Sequence, residues 1–126
     1  MTSKHFLVAG SFVLALAVGI GAFGAHALKP LLDEVGKADV FKTAVNYHFY
    51  HGFALLVVGI LMQTQKTTYL SWAGYTFCLG IVLFCGALYG ISLTGFTKLG
   101  IIAPFGGLSF ICGWILCGYH VYQTKK

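Results

Sequence analysis

Five side chains in this 126-residue sequence could carry chemistry in an otherwise apolar chain: His26, Tyr47, His48, His51 and Tyr89. His48 and His51 stand three residues apart, and Tyr47 and His51 four apart. On a helix such pairs share a face. Imidazole can move a proton, ligate a metal or hold haem, and a phenol beside it can donate or accept a hydrogen bond. Tetrahedral zinc asks for three or four N, S or O ligands. His26 could join the pair as a third, but no acid or cysteine obviously shares that depth. Haem held by two histidines needs ligands from opposite faces, hence His26 against His48 or His51. The plainest use of the layer is hydrogen bonding between helices, by imidazole, phenol and the Asn46 amide, at about 0.6 kcal/mol per bond in membrane bundles. A small apolar or quinone-like ligand seated in the layer is a further alternative, because pockets between helices are common. We expect no metal and no cofactor.

Two other motifs carry less. Gly19-x-Gly21-x-x-Gly24 matches the dinucleotide fingerprint by letter. That fingerprint works only after a strand and at a helix N-terminus, whereas these glycines fall inside an apolar helical run. Cys78, Cys85, Cys112 and Cys117 form no Cys-x-x-Cys pair, and they read as small buried hydrophobes.

The elements that must position these groups follow from charge spacing. Hydrophobic residues make up 58% of the chain and charged ones 9%, against about 25% charged in soluble domains. All basic residues are lysines, and four uncharged runs separate them: 5–28, 43–65, 67–97 and 99–124. Each exceeds the roughly 20 residues needed to cross hydrocarbon, where only internally bonded backbone is stable. The expected spans are Phe6–Leu28, Thr43–Met62, Tyr69–Ser92 and Leu99–Tyr122. Ala25-His26-Ala27 fits a signal-peptidase pattern, but the run before it is longer than the usual h-region of about 7–15 residues, so we expect a retained span. The net charge of +5 is a membrane-edge pattern of scattered lysines, not a nucleic-acid patch.

Lys29–Lys42 is the one sizeable loop, with Lys29-Pro30 ending the first helix and Asp39 capping the second. Pro104 suits the first turn of the last. Small residues let membrane helices approach. Gly19 belongs to a stripe with Ala15, Ala22 and His26. Gly86 and Gly90 form a small-xxx-small pair, and Gly106 and Gly107 follow Pro104. The expected use is packing within the bundle, with a dimer face on Gly86 and Gly90 as the sharper alternative.

Four spans place both termini on one side. Counting lysines, Lys4, Lys66, Lys125 and Lys126 oppose Lys29, Lys37, Lys42 and Lys98. The free amino terminus and the paired C-terminal lysines tilt the reading to both termini in the cytoplasm. No Asp, Glu, Lys or Arg lies mid-span, which argues against a proton-coupled exporter built on a membrane carboxylate.

Gly21-Ala22-Phe23-Gly24-Ala25-His26, Tyr47–His51, Phe84-Cys85-Gly86-Ala87-Leu88-Tyr89, Pro104-Phe105-Gly106-Gly107 and Gly113-Trp114 occur in that order. Together they resemble the family catalogued as domain of unknown function 423, which includes the animal proteins named transmembrane protein 256. The resemblance covers essentially the whole chain. It implies a four-span bundle in the bacterial cell membrane, and it implies no activity. Cys85, Ala87 and Ala103 depart from it, standing near where serines and a threonine are expected.

The sequence thus predicts an all-α integral membrane four-helix bundle with short loops, one membrane domain over residues 1–126. Its expected role is a non-enzymatic accessory or assembly subunit of the cell membrane. The alternative is a small-molecule binding or transport bundle using His26, Tyr47, His48, His51 and Tyr89 near one membrane face. Its partners would be the lipid bilayer and a membrane protein or a second copy, and not nucleic acid.

Overall fold

The computed structural model describes residues 1–124; Lys125 and Lys126, counted above for orientation, lie outside the described residues. Helix α1 spans Ser3–Ala25, α2 Lys29–Val35, α3 Ala38–Thr64, α4 Thr68–Gly80, α5 Gly86–Thr94 and α6 Ala103–Gln123. A π-helical stretch, Ile81–Cys85, joins α4 to α5 without a break, and a 3-10 turn, Thr97–Ile101, leads into α6. No strand occurs among the described residues. Four helical units are long and apolar enough to cross a membrane: Ser3–Ala25, Ala38–Thr64, Thr68–Thr94 and Thr97–Gln123.

The first connection between spans departs from expectation. Residues read as a loop fold into α2, with Pro30 in its first turn. Proline's fixed φ suits that position, so it opens a helix here rather than closing α1. Gly36 ends α2 with φ of 74°, a left-handed conformation that costs glycine least. Because α3 restarts at once, Lys37 stands at its N-cap and Asp39 falls inside its first turn. Asp39 is therefore not the cap; it faces the positive end of the helix dipole instead. Pro104 does lie in the first turn of α6.

Two glycine seams hold the bundle. α1 lies along α3, where side chains at Gly10, Gly52 or Gly59 would strike Leu56, Leu14 and Leu7. Ser3 Oγ donates to the Gly59 carbonyl at 2.7 Å on the same seam. α4 lies along α6, with Phe110 filling the space over Gly80 and Phe77 that over Gly113. Phe6 reaches from α1 onto Gly74 of α4. The core between the seams holds Phe6, Leu55, Val58, Leu70 and Phe77, all fully buried. The outer faces expose Phe12, Leu16 and Phe23 of α1, and Phe105, Leu108 and Ile115 of α6. Such surfaces would drive aggregation in water and are what lipid tails solvate.

The expected packing residues divide. Gly106 is buried against the backbone of Phe84, and Gly90 meets Leu99 of the 3-10 turn. Gly107 is only at ordinary contact distance from Phe84. A Cβ at Gly19 or Gly86 would meet nothing within 4 Å, so neither is a point of close helix approach within the chain.

Candidate functional site

α3 has 27 residues, hence a length of about 40 Å at 1.5 Å per residue. His51 sits near its midpoint. α6 runs in the same direction and places Trp114 near its own midpoint. From Thr43, the first residue beyond Lys42, His51 lies eight residues on, about 12 Å along the helix.

Two relays emerge there. His51 is buried, and its Nδ1 lies 2.9 Å from the Tyr47 carbonyl, one turn back. A carbonyl only accepts, so Nδ1 carries the proton. Trp114 Nε1 donates to His51 Nε2 at 3.1 Å. Indole nitrogen only donates, so Nε2 is the unprotonated acceptor. The two contacts fix one neutral tautomer and occupy both ring nitrogens. The ring is stacked on Phe110, with centroids 3.4 Å apart and planes 10° apart.

His48 is also buried, and its Nδ1 lies 2.8 Å from the Tyr89 hydroxyl on α5. Each histidine is in this way a hydrogen-bonded tie between helices: His48 joins α3 to α5, and His51 joins α3 to α6. Among the described residues, no buried side-chain nitrogen or oxygen lacks a hydrogen-bond partner.

His26 is not part of this layer. α1 ends at Ala25, and His26 occupies the C-cap, exposed at the surface. It is not among the hydrogen-bond partners of His48 or His51. Asn46 is likewise exposed. Among the described residues, no group of three His, Cys, Asp or Glu converges to hold a metal ion, and the four cysteines are free thiols.

Sequence reasoning missed Trp114 as the partner of His51. The available signal was its indole N–H, a donor that cannot stay unpaired in hydrocarbon, at the depth where α6 passes α3. It also missed a tie at the other membrane edge. Buried His120 Nδ1 lies 2.9 Å from Thr67 Oγ1, and that hydroxyl also accepts from Leu70 N at 3.4 Å as the N-cap of α4.

Beside the His51 relay runs a groove of about 490 Å³ between α3 and α6. Tyr47, Tyr50, Phe84, Gly107, Phe110 and Trp114 line it. The π-helical stretch aims Phe84 into it, and Gly106 lets α6 close on that stretch. π-bulges of this kind often mark functional sites.

Fold and site together define a class: a four-span membrane protein with two buried histidines that hydrogen-bond across its helices. Residues 20–107 match the family described as "Protein of unknown function (DUF423)", and the chain belongs to that family. It is 42% identical over 113 residues to a UPF0382 membrane protein of Staphylococcus haemolyticus, covering 90% of this chain and 91% of the relative. It is 41% identical over 114 residues to the UPF0382 membrane protein YwdK of Bacillus subtilis, covering 90% and 92%. No solved structure matches the chain.

Proposed function

We propose that this protein is a non-enzymatic accessory or assembly subunit of the cell membrane, with both termini in the cytoplasm. The observation that carries the reading is the saturation of His51: Nδ1–H on the Tyr47 carbonyl and Nε2 under the Trp114 indole N–H. A general base or relay must present a free lone pair to substrate or water. His51 has none to offer, His48 is hydrogen-bonded to Tyr89, and no span carries a carboxylate in its middle. The polar groups stabilise and register the helices, and the protein acts through what its surface holds, a membrane protein or a second copy of itself.

Two measurements on the intact protein test this. Reconstituted in liposomes under an imposed pH gradient, it leaves the gradient as stable as in protein-free vesicles. Extracted from its own membranes in mild detergent, it migrates in a complex larger than the 13.6 kDa chain. Gradient collapse that disappears in His48→Phe or His51→Phe would overturn the reading.

A further inference from the structure

Polar side chains inside hydrocarbon need partners, and the α3–α6 groove holds two without one. Tyr47 and Tyr50, 38% and 56% exposed, line it, and their hydroxyls open onto the groove with no hydrogen bond to another described residue. Counting from Thr43, the first residue beyond Lys42, Tyr47 lies about 6 Å and Tyr50 about 10 Å into the span. Tyrosines favour the interfaces, where water or headgroups reach the hydroxyl. The Tyr47 ring packs on Phe84 at 4.7 Å and is stacked on His51 at 5.9 Å and on Phe110 at 6.2 Å. These rings form slab-like walls, with Tyr47 and Phe110 inclined by 27° and His51 and Phe110 by 10°.

The occupant must bring an oxygen acceptor to that depth, present a flat body to the ring walls and leave sideways into hydrocarbon past Ile111. A phospholipid does not, because its ester and phosphate oxygens stay at the surface. A transmembrane helix is too wide for about 490 Å³, a volume within the roughly 300–1,000 Å³ of small-molecule sites. We infer that this groove is a lateral binding site for a planar, carbonyl-bearing lipophile of the isoprenoid-quinone class. The Tyr47 and Tyr50 hydroxyls donate to its carbonyl oxygens, its ring lies among Phe84, Phe110 and Trp114, and its tail runs into the bilayer. The inference rests on the proposed function only in that the protein binds rather than turns over. The liposome and complex-size experiments test that reading, and the titration below tests the ligand.

Trp114 reports directly, since a quinone in contact with an indole quenches its fluorescence. The other tryptophan, Trp72, is 58% exposed on α4, so Trp72→Phe removes it from the lipid face. In phosphatidylcholine nanodiscs, this variant is titrated with 2-methyl-1,4-naphthoquinone carrying two isoprene units. The expected result is saturable quenching. Adding Tyr47→Phe and Tyr50→Phe raises the midpoint about tenfold, the loss of two hydrogen bonds of modest net strength. Gly107→Leu removes the saturable component. A Cβ at Gly107 meets only Phe84 Cδ2 at 4.0 Å, so the leucine branch starts in open groove; helical circular dichroism equal to the parent's qualifies this variant, which carries the test if the phenylalanine variant fails to fold. Quenching that rises linearly without saturation, or equal midpoints in all variants, would overturn the inference. So would native mass spectra showing only phospholipid or a second copy, undisplaced by the quinone.

Discussion

Gly106 and Gly107 are neighbours in sequence and opposites in environment, so alanine at each position separates close approach from open groove. At Gly106 a Cβ would collide with the Phe84 backbone nitrogen and stand 2.7 Å from Phe84 Cβ and 2.8 Å from Phe84 Cα. Carbon contacts are comfortable at about 3.5–4.0 Å, so α6 must retreat by roughly 1 Å from the π-helical stretch. The obstacle is backbone in a helix, which no rotamer change moves aside. Overpacking of this kind costs about 1–3 kcal/mol. The helix-propensity gain of alanine over glycine returns up to about 1 kcal/mol. The net expectation for Gly106→Ala is destabilisation of about 1–2 kcal/mol. At Gly107 the nearest atom is Phe84 Cδ2 at 4.0 Å, so only the propensity gain remains, and Gly107→Ala is neutral to slightly stabilising. Equilibrium unfolding in mixed detergent micelles, followed by helical circular dichroism, measures both. Equal effects at the two positions, or a Gly106→Ala protein as stable as the parent, would refute the close approach of α6 to Phe84.

Three further outcomes follow from the same geometry. A double-mutant cycle of His51→Phe with Trp114→Phe should give a coupling of about 0.6 kcal/mol and no more than about 1.7; zero coupling in unfolding titrations would mean the pair is not bonded. Thr67→Val removes both the cap on Leu70 and the tie to His120. It should cost about 1–2 kcal/mol, while Thr67→Ser retains most of the stability in the same assay. Cysteines introduced at Thr2 and Gln65 should react with an impermeant maleimide from one side of a sealed vesicle, and those at Gly36 and Gly95 from the other. All four reacting from one side would break the four-span topology.

The spans were legible because lysines bound every uncharged run, and hydrocarbon leaves the backbone no choice but helix within them. The connection at 29–37 was not legible, since a seven-residue helix has too few turns to show a period and its proline reads equally as a stop. The π-helical stretch was invisible for another reason. It slips the helical phase within Ile81-Val82-Leu83-Phe84-Cys85, where every residue is apolar and no phase is displayed. The same uniformity hides which small residues face inward, as Gly90 and Gly106 do while a Cβ at Gly19 or Gly86 would meet nothing within 4 Å. Of the candidate layer, His48 and Tyr89 could be paired by depth alone. Trp114 needed the register of α6 against α3. His26 depended on whether α1 stops one residue before it.

Saturation of His51 is the claim on which the functional reading stands, and it is directly observable. Side-chain nitrogen NMR of ¹⁵N-histidine-labelled protein in nanodiscs at neutral pH distinguishes protonated from bare ring nitrogens, and His51→Phe assigns the signals. The structure predicts Nδ1 protonated and Nε2 bare, with the Nε2 signal shifting when Trp114 is replaced by phenylalanine. A protonated Nε2, or a signal indifferent to Trp114, would contradict the account and return His51 to the list of groups free to do chemistry.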